Sequence, residues 1–177
     1  MPIKLWGCII KKLLLLFILL PHFAVFAASP AYETNVTFRG FSWGTSMQEF
    51  IRVMGNPVSR EEINGLVSLV WENVEYNGYM TYMLAFFSPS GLQGGTYYFL
   101  TRDLDELMRC YTELRQELRN RFGPTPLFNG IIREMRPYQC LWNLSGGLIH
   151  LKVNTRQGDP VSLWFSSPWL TRQISGG

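Results

Sequence analysis

Apolar and polar residues follow one another along this chain in a pattern that occurs twice. Thr45–Pro57 and Leu104–Phe122 carry apolar residues at helical spacing, and each stretch is closed by glycine and proline residues that stop a helix. After each predicted helix, three apolar or alternating runs have the period and the turn residues of strands. The predicted strands are Leu66–Tyr76, Tyr79–Phe87 and Gly94–Leu100 in the first half, and Tyr138–Leu144, Leu148–Val153 and Val161–Phe165 in the second.

The two halves also share landmark residues at matching places. These pairs lie about 70 residues apart, and they are Gly55 with Gly123, Trp71 with Trp142, and Phe99 with Phe165. An internal repeat of this kind constrains the architecture before any single residue is interpreted. We therefore predict an α+β fold in which two tandem α-β-β-β repeats form one curved antiparallel sheet, with the helices on one face. The predicted segments are a signal peptide at 1–27, an N-terminal segment at 28–42, repeats at 43–100 and 101–166, and a C-terminal tail at 167–177.

The first residues have the order of a secretory signal peptide. Lys4, Lys11 and Lys12 precede the apolar run Leu13–Leu20, and Met1–Ala27 closes with a small residue suited to cleavage. We therefore predict a periplasmic or secreted protein from which the signal is removed. A retained membrane anchor is the alternative, but the apolar run is shorter than the roughly 20 residues that a transmembrane helix needs.

The charge balance changes once the signal is removed. The full chain has 16 Lys and Arg against 13 Asp and Glu, which gives a formal net charge of +3. This excess equals the three lysines of the signal, so the mature chain is formally neutral. A neutral chain has no general electrostatic attraction to nucleic acid or to anionic lipid. We expect no nucleic-acid partner and, after signal removal, no membrane span.

Few residues of the mature chain are suited to catalysis or to metal binding. His150 is its single histidine, whereas a catalytic triad needs a histidine beside a nucleophile and zinc sites use clustered His and Cys. Glu61 and Glu62 are adjacent in a predicted polar turn, so they do not face each other across a cleft. We therefore predict no catalytic residue, no metal site and no cofactor, and we expect that the protein is not an enzyme.

Cys110 and Cys140 are a candidate disulfide. Cys110 lies on the flank of the apolar stripe of the second predicted helix, and Cys140 is in the strand expected to pack beneath that helix. A bridge would close a loop of about 30 residues, worth roughly 3.5 kcal/mol in the chain-entropy description. The exported location favours oxidation. Two buried free thiols are the alternative, because free cysteine is often a core residue.

The alternation in the last two strands separates a core face from an open face. Ile149, Leu151 and Val153 point one way, and His150 and Lys152 point the other. The candidate protein-interaction residues on the open face are Trp142, His150, Lys152 and Trp164. Exposed aromatic residues beside polar ones are typical of protein-binding hot spots.

Two alternatives to this interaction face stay open. The C-terminal segment Ser166–Gly177 could cover Trp164, and the match between Trp142 and Trp71 favours a core role for Trp142. The expected partner is another envelope or secreted protein. A small-ligand or lipid carrier with an apolar pocket between helices and sheet is the alternative function, because the many Met, Phe and Tyr residues could line one.

One segment resembles a known family. Trp43-Gly44-Thr45-Ser46, followed by Glu49-Phe50 and by Met54–Pro57, is similar to the helix signature of the BamE (SmpA/OmlA) family. The tandem arrangement resembles the architecture of β-lactamase-inhibitor-protein-like (BLIP-like) proteins. The resemblance implies an exported bacterial protein that binds other proteins and has no enzymatic activity.

Overall fold

The computed structural model describes residues 31–63, 65–101, 103–124, 127–129, 138–154 and 159–175. Its compact unit begins at Tyr32. The helices are α1 (Met47–Met54), α2 (Leu104–Phe122) and α3 (Pro168–Ser175). The strands are β1 (Ser59–Ile63), β2 (Leu66–Tyr76), β3 (Tyr79–Ser88), β4 (Gly91–Phe99), β5 (Leu127–Asn129), β6 (Tyr138–Leu144), β7 (Gly147–Asn154) and β8 (Asp159–Ser166).

All eight strands belong to one antiparallel sheet with the order β1-β2-β3-β4-β8-β7-β6-β5. The two halves of the chain meet at β4 and β8, where Thr96 pairs with Trp164 and Tyr97 with Leu163. The α+β class and the antiparallel sheet are therefore confirmed. Both predicted helices and all six predicted strands are present, with ends that differ by a few residues.

Two strands were not predicted, because each lies at an edge of the sheet. Among the described strands, β1 pairs only with β2, and β5 pairs only with β6. Every residue of β1 is exposed, so its sequence lacks the apolar alternation that marks a half-buried strand. Glu61 and Glu62, predicted in a turn, lie in this edge strand. Charged residues at a sheet edge discourage pairing with another chain.

The helix ends follow the sequence closely. Ser46 caps α1 by accepting a hydrogen bond from the backbone N–H of Glu49 at 3.2 Å. Asp103 caps α2 in the same way through Glu106, at 2.9 Å. Thr45, the residue before Ser46, donates its hydroxyl to the carbonyl of Ser42.

The core lies between the sheet and the first two helices. Phe50 is the buried anchor of α1, while α2 contributes a continuous buried stripe. That stripe is Leu107, Cys110, Tyr111, Leu114, Leu118 and Phe122. Leu104, the first residue of α2, is 53% exposed and lies outside this stripe. Phe38, from the segment before α1, is fully buried and stacks on Phe50 with ring centroids 6.3 Å apart.

The third helix lies on the opposite face of the sheet from the other two. Gly94 and Gly95 are adjacent in β4 and therefore point to opposite faces. A Cβ on Gly95 would lie 2.2 Å from the Phe38 ring, whereas a Cβ on Gly94 would lie 2.7 Å from Leu170 Cδ2 of α3. The two predicted helices therefore share one face, whereas the third helix, which was not predicted, lies on the other. The segment predicted as a C-terminal tail therefore folds as a helix, which is anchored to the sheet where Leu170 packs against Gly94.

The predicted signal peptide, Met1–Ala27, lies outside the described residues. Within the described part of the chain, no helix is both long enough and apolar enough to cross a membrane.

Candidate functional site

The open face of the sheet carries a row of side chains that crosses six strands. From one side to the other, the paired positions are Leu141, His150, Trp164, Thr96, Leu84 and Val70. Their shared face follows from the register, because directly paired residues in an antiparallel sheet point the same way. Trp164 is at the centre of this row and half-buried. His150, Lys152 and Trp164 therefore lie together on the open face, where the alternation placed them.

Trp164 packs against a neighbour that the sequence analysis did not identify. Its ring centroid lies 5.0 Å from that of Phe86 in β3, with the ring planes tilted by 32°. Phe86 pairs with Gly94, two residues along β4 from the Thr96–Trp164 pair, so the two rings meet diagonally across the sheet. The alternation of β3 was visible in the sequence, but the adjacency of β4 and β8 that joins the two rings was not.

His150 is positioned by Gln139 and is held in its neutral form. Its Nε2 lies 3.0 Å from Oε1 of Gln139 on β6. Burial lowers the pKa of His150, and the positive charge of Lys152 lowers it further. At neutral pH the centre of the open face is therefore uncharged, with Lys152 at its border.

Helix α3 closes one end of the open face and leaves a pocket of about 310 Å³ beside Trp164. The pocket is lined by Leu148, His150, Trp164, Ser166, Thr171 and Ile174. Ile174 is 61% exposed, so the rim on the helix side is apolar. The C-terminal segment thus borders Trp164 without covering it.

Trp142 does not lie on the open face. It is only 1% exposed and belongs to the core, where its indole N–H donates to the carbonyl of Gly123 at 2.9 Å. The reason is the strand period of two: Trp142 follows Cys140 by two positions and must share its face, and Cys140 packs under α2. The position of Cys140 was the signal that could have placed Trp142 correctly.

Cys110 and Cys140 are free, buried thiols. Cys110 is fully buried rather than on the flank of α2, and burial raises its pKa to about 12. Cys140 Sγ lies 3.2 Å from the hydroxyl of Tyr111 on the same helix. The structure therefore has the two thiols in place of the candidate disulfide.

Acidic, histidine and cysteine side chains are dispersed over the described residues. Nowhere among them do three or more come close enough to hold a metal ion.

The comparisons with known proteins give partial likenesses of fold. No family model matches the chain, and no curated protein matches its sequence. One similar solved structure is an extracellular protein from Bacillus anthracis that contains an SCP domain: identity is 12%, the TM-score is 0.47, and the match covers 80% of this chain and 49% of that one. A cysteine-rich secretory protein from Staphylococcus aureus is similar over 81% of this chain and 49% of its own, at 10% identity and a TM-score of 0.48.

A third similar structure is a DUF4309 family protein from Bacillus subtilis, at 10% identity and a TM-score of 0.43, over 69% of this chain and 78% of that one. This chain spans about half the length of the other two proteins. Two of the three are described as extracellular or secretory, which is the localisation that the sequence predicts here. Likenesses at this level assign no activity to the chain.

The resemblance to the BamE and BLIP-like families is wrong. No family model matches, and the solved structures that the chain resembles are SCP-domain, secretory and DUF4309 proteins. The residues that carried it, Trp43–Pro57, include a helix cap and a glycine exit that many unrelated helices share.

Proposed function

We propose that this protein is an exported bacterial envelope protein without enzymatic activity that binds another protein through its open sheet face. One observation carries the proposal: Trp164 stands partly exposed at the centre of that face, between the Phe86 ring and the apolar pocket beside α3. A large aromatic side chain next to an apolar recess is the usual arrangement of a binding hot spot. Export is proposed from the sequence of Met1–Ala27.

The charges of the face indicate what kind of partner segment would fit. Because His150 is neutral near pH 7, Lys152 is the charged member of the proposed site. An apolar side chain of the partner would enter the pocket beside Trp164, and an acidic side chain would meet Lys152 at the border. A charge at the rim of an interface steers association more than it adds affinity.

The arrangement of the core favours protein binding over small-molecule or lipid carriage. A carrier was expected to have its pocket between the helices and the sheet, but the centre of that space holds the fully buried rings of Phe38, Phe50 and Phe99. The pocket beside α3, about 310 Å³, is open at the helix side, where Ile174 is 61% exposed, so it does not enclose a ligand as the cavity of a carrier would. It is large enough for one or two side chains of a partner.

The surroundings of His150 support the non-enzymatic part of the proposal. Its Nε2 faces the amide oxygen of Gln139, which is neither a nucleophile nor a carboxylate that could orient a general base. His150 is therefore bonded to a glutamine amide at the position where a catalytic histidine would need a nucleophile or a carboxylate.

We also infer that the two halves of the chain are tandem repeats. The sheet order supports this, since β1-β2-β3-β4 is met by β8-β7-β6-β5 and the fourth strand of each half forms the junction. Matching details support it further, because Trp71 donates to the carbonyl of Gly55 as Trp142 does to that of Gly123. Each glycine also has nearly the same backbone angles, with φ of 82° and 85°.

The proposal is tested by capture followed by a direct affinity measurement. The protein is immobilised, exposed to envelope extract of its own source, and any retained protein is purified and titrated against it by calorimetry. Trp164→Ala should weaken the binding of that purified protein about thirtyfold or more, as expected for loss of a hot-spot residue. Tyr32→Ala, which removes an exposed aromatic ring elsewhere, should leave it unchanged.

Two results would contradict the proposal. Equal affinity of the wild-type protein and Trp164→Ala for the purified partner would remove the open face from the interaction. Recovery of a lipid or small molecule with no protein enriched would favour the carrier function instead.

A further inference from the structure

A second candidate site lies on the helix side of the sheet, at a strained turn before α1. Phe38 and Phe41 exchange backbone hydrogen bonds of 3.1 and 2.9 Å, and Arg39 and Gly40 form the turn between them. Both turn residues are in the left-handed region, with φ of 56° and 81°. This is the geometry of a type I′ turn, whose first position favours Asn, Asp or Gly. The left-handed conformation therefore costs conformational free energy at Arg39. Contacts made by the arginine side chain are what can offset this cost.

The Arg39 side chain borders a pocket of about 290 Å³ that is separate from the open face. The pocket lies where the segment before α1, the sheet and the end of α2 meet. Its lining residues are Thr37, Arg39, Gly40, Tyr76, Tyr97, Arg121 and Phe165. The rings of Tyr76 and Tyr97 pack with their centroids 4.6 Å apart and form one wall.

Tyr97 brings an unused hydrogen-bond donor to this pocket. Its side chain is 1% exposed, and the proton of its hydroxyl has no acceptor among the described residues. Burial raises the pKa of Tyr97, and Arg39, by its charge and by an interaction of its guanidinium with the hydroxyl oxygen, only partly opposes this shift. The hydroxyl therefore keeps its proton at any physiological pH. A buried O–H without a protein acceptor is costly, so a ligand oxygen placed against this pocket wall would gain a hydrogen bond from it.

The two arginines of the pocket differ in how far their charge is compensated. Arg121 donates to both carboxylate oxygens of Glu33, at 3.2 and 3.1 Å, and to Glu117 at 3.3 Å. Arg39 donates through Nη1 to the backbone carbonyl of Glu75 at 3.1 Å, which adds no negative charge. Within the described part of the chain, Arg121 is thus paired with two carboxylates, and Arg39 has no carboxylate partner.

We propose that this pocket binds a carboxylate group, supplied by a small organic acid or by an acidic side chain of a peptide. Arg39 takes the carboxylate by charge-assisted hydrogen bonds, and the Tyr97 hydroxyl donates to one of its oxygens. Arg121 and the tyrosine rings shape the space around the rest of the ligand. The site does not depend on the proposed open-face interaction, since it lies on the other face of the sheet.

The test uses benzoate as the probe, with the neutral benzamide as its uncharged counterpart. Both are titrated into the protein produced from the full chain, and binding is followed by NMR of the arginine Nε–H and backbone signals. Benzoate should give saturable shifts at Arg39 and Tyr97, and benzamide should give none. A blocked tripeptide with a central aspartate is then titrated in the same way. If benzoate binds more tightly, the pocket fits a small organic acid, and if the tripeptide binds more tightly, it fits an acidic side chain of a peptide.

Two variants separate binding from folding. Arg39→Asn supplies the residue that the turn prefers, so it should keep or raise the melting temperature while weakening benzoate at least about tenfold. Tyr97→Phe removes a buried hydroxyl whose proton has no acceptor among the described residues, so it should also keep or raise the melting temperature while weakening benzoate at least about fivefold. Arg172→Gln, at an exposed position on α3 across the sheet, is the matched charge control and should bind normally.

Three outcomes would overturn the proposal. They are the absence of saturable binding of either carboxylate probe, equal binding of benzamide, and unchanged benzoate affinity in Arg39→Asn.

Discussion

Trp142 ties the sheet to the end of α2 by donating its indole N–H to the carbonyl oxygen of Gly123 at 2.9 Å. Trp71 makes the corresponding bond to Gly55, beside the end of α1, at 3.1 Å. Carbonyls near the end of a helix have no intrahelical partner and need one from elsewhere. Each indole supplies that partner and also fills the space beneath the helix end. In both halves of the chain, a tryptophan of the sheet therefore fixes where the helix stops.

We predict that Trp142→Phe destabilises the protein by about 2–4 kcal/mol. The smaller ring leaves a cavity in the core, and the Gly123 carbonyl loses its donor where water has little access. The free energy of unfolding is measured by urea titration. Trp169→Phe is the control, because this tryptophan is 38% exposed and should change stability by less than about 0.5 kcal/mol. An equally small effect of Trp142→Phe would mean that the hydrogen bond does not hold the helix end.

Local patterns were sufficient to predict most of the elements. These local signals depend only on residues a few positions apart, so they can be read directly from the sequence. They are the capping residue Ser46, the glycines that end the helices, and the alternation of β7 and β8. The same alternation placed Trp164 on the open face. Edge strand β1 was missed because its exposed residues carry no apolar period.

The remaining features depend on contacts between distant segments. Helix α3 was predicted as a tail because it is held on the sheet by the contact of Leu170 with Gly94. The two residues are far apart in the sequence, so no local pattern shows this contact. The pocket at Arg39 joins the segment before α1 to Tyr97 and Arg121, and no periodic pattern connects these three residues. The one local signal was a two-residue Arg-Gly turn between Phe38 and Phe41, which marks a tight turn but no pocket.

We predict that Gly94→Ala loosens α3 without unfolding the core. The new Cβ would lie 2.7 Å from Leu170 Cδ2 and 2.9 Å from the carbonyl oxygen of Phe165, so the helix must move away from the sheet. Hydrogen exchange of α3 should become faster, at a cost of about 1–3 kcal/mol. Leu170→Ala should speed exchange in the same helix by removing its anchor. Unchanged exchange in both variants would mean that Leu170 is not what holds α3 on the sheet.

The two buried cysteines should be unreactive in the folded protein. Burial raises the pKa of Cys110 to about 12, so almost no thiolate is present near neutral pH. We expect no rapid labelling by a maleimide in native buffer and labelling of both Cys110 and Cys140 in guanidinium chloride. Mass spectrometry gives the count directly. A third labelled thiol, Cys8, would show that the signal is retained, and a mass lower by about two hydrogens would show that the pair is bridged.

The stability of the protein should fall as His150 becomes protonated in the unfolded chain. Burial, assisted by Lys152, lowers its pKa in the folded state, whereas the unfolded chain titrates near the ordinary value of about 6.5. Between these two values the unfolded state binds the extra proton, so the stabilising contribution is complete above about pH 7 and is lost as the pH falls below it. The melting temperature of the wild-type protein should therefore drop between about pH 7.5 and 5.5.

His150→Gln isolates this contribution, because glutamine can still bond to Gln139 but does not titrate. Its melting temperature should vary less than that of the wild-type protein over the same range. Carboxylates titrate mainly below this range, so the difference between the two curves reports on the histidine. Parallel curves would mean that His150 has the same proton affinity in the folded and unfolded states. The centre of the open face would then become charged at mildly acidic pH, and the proposed apolar contact at Trp164 would weaken with it.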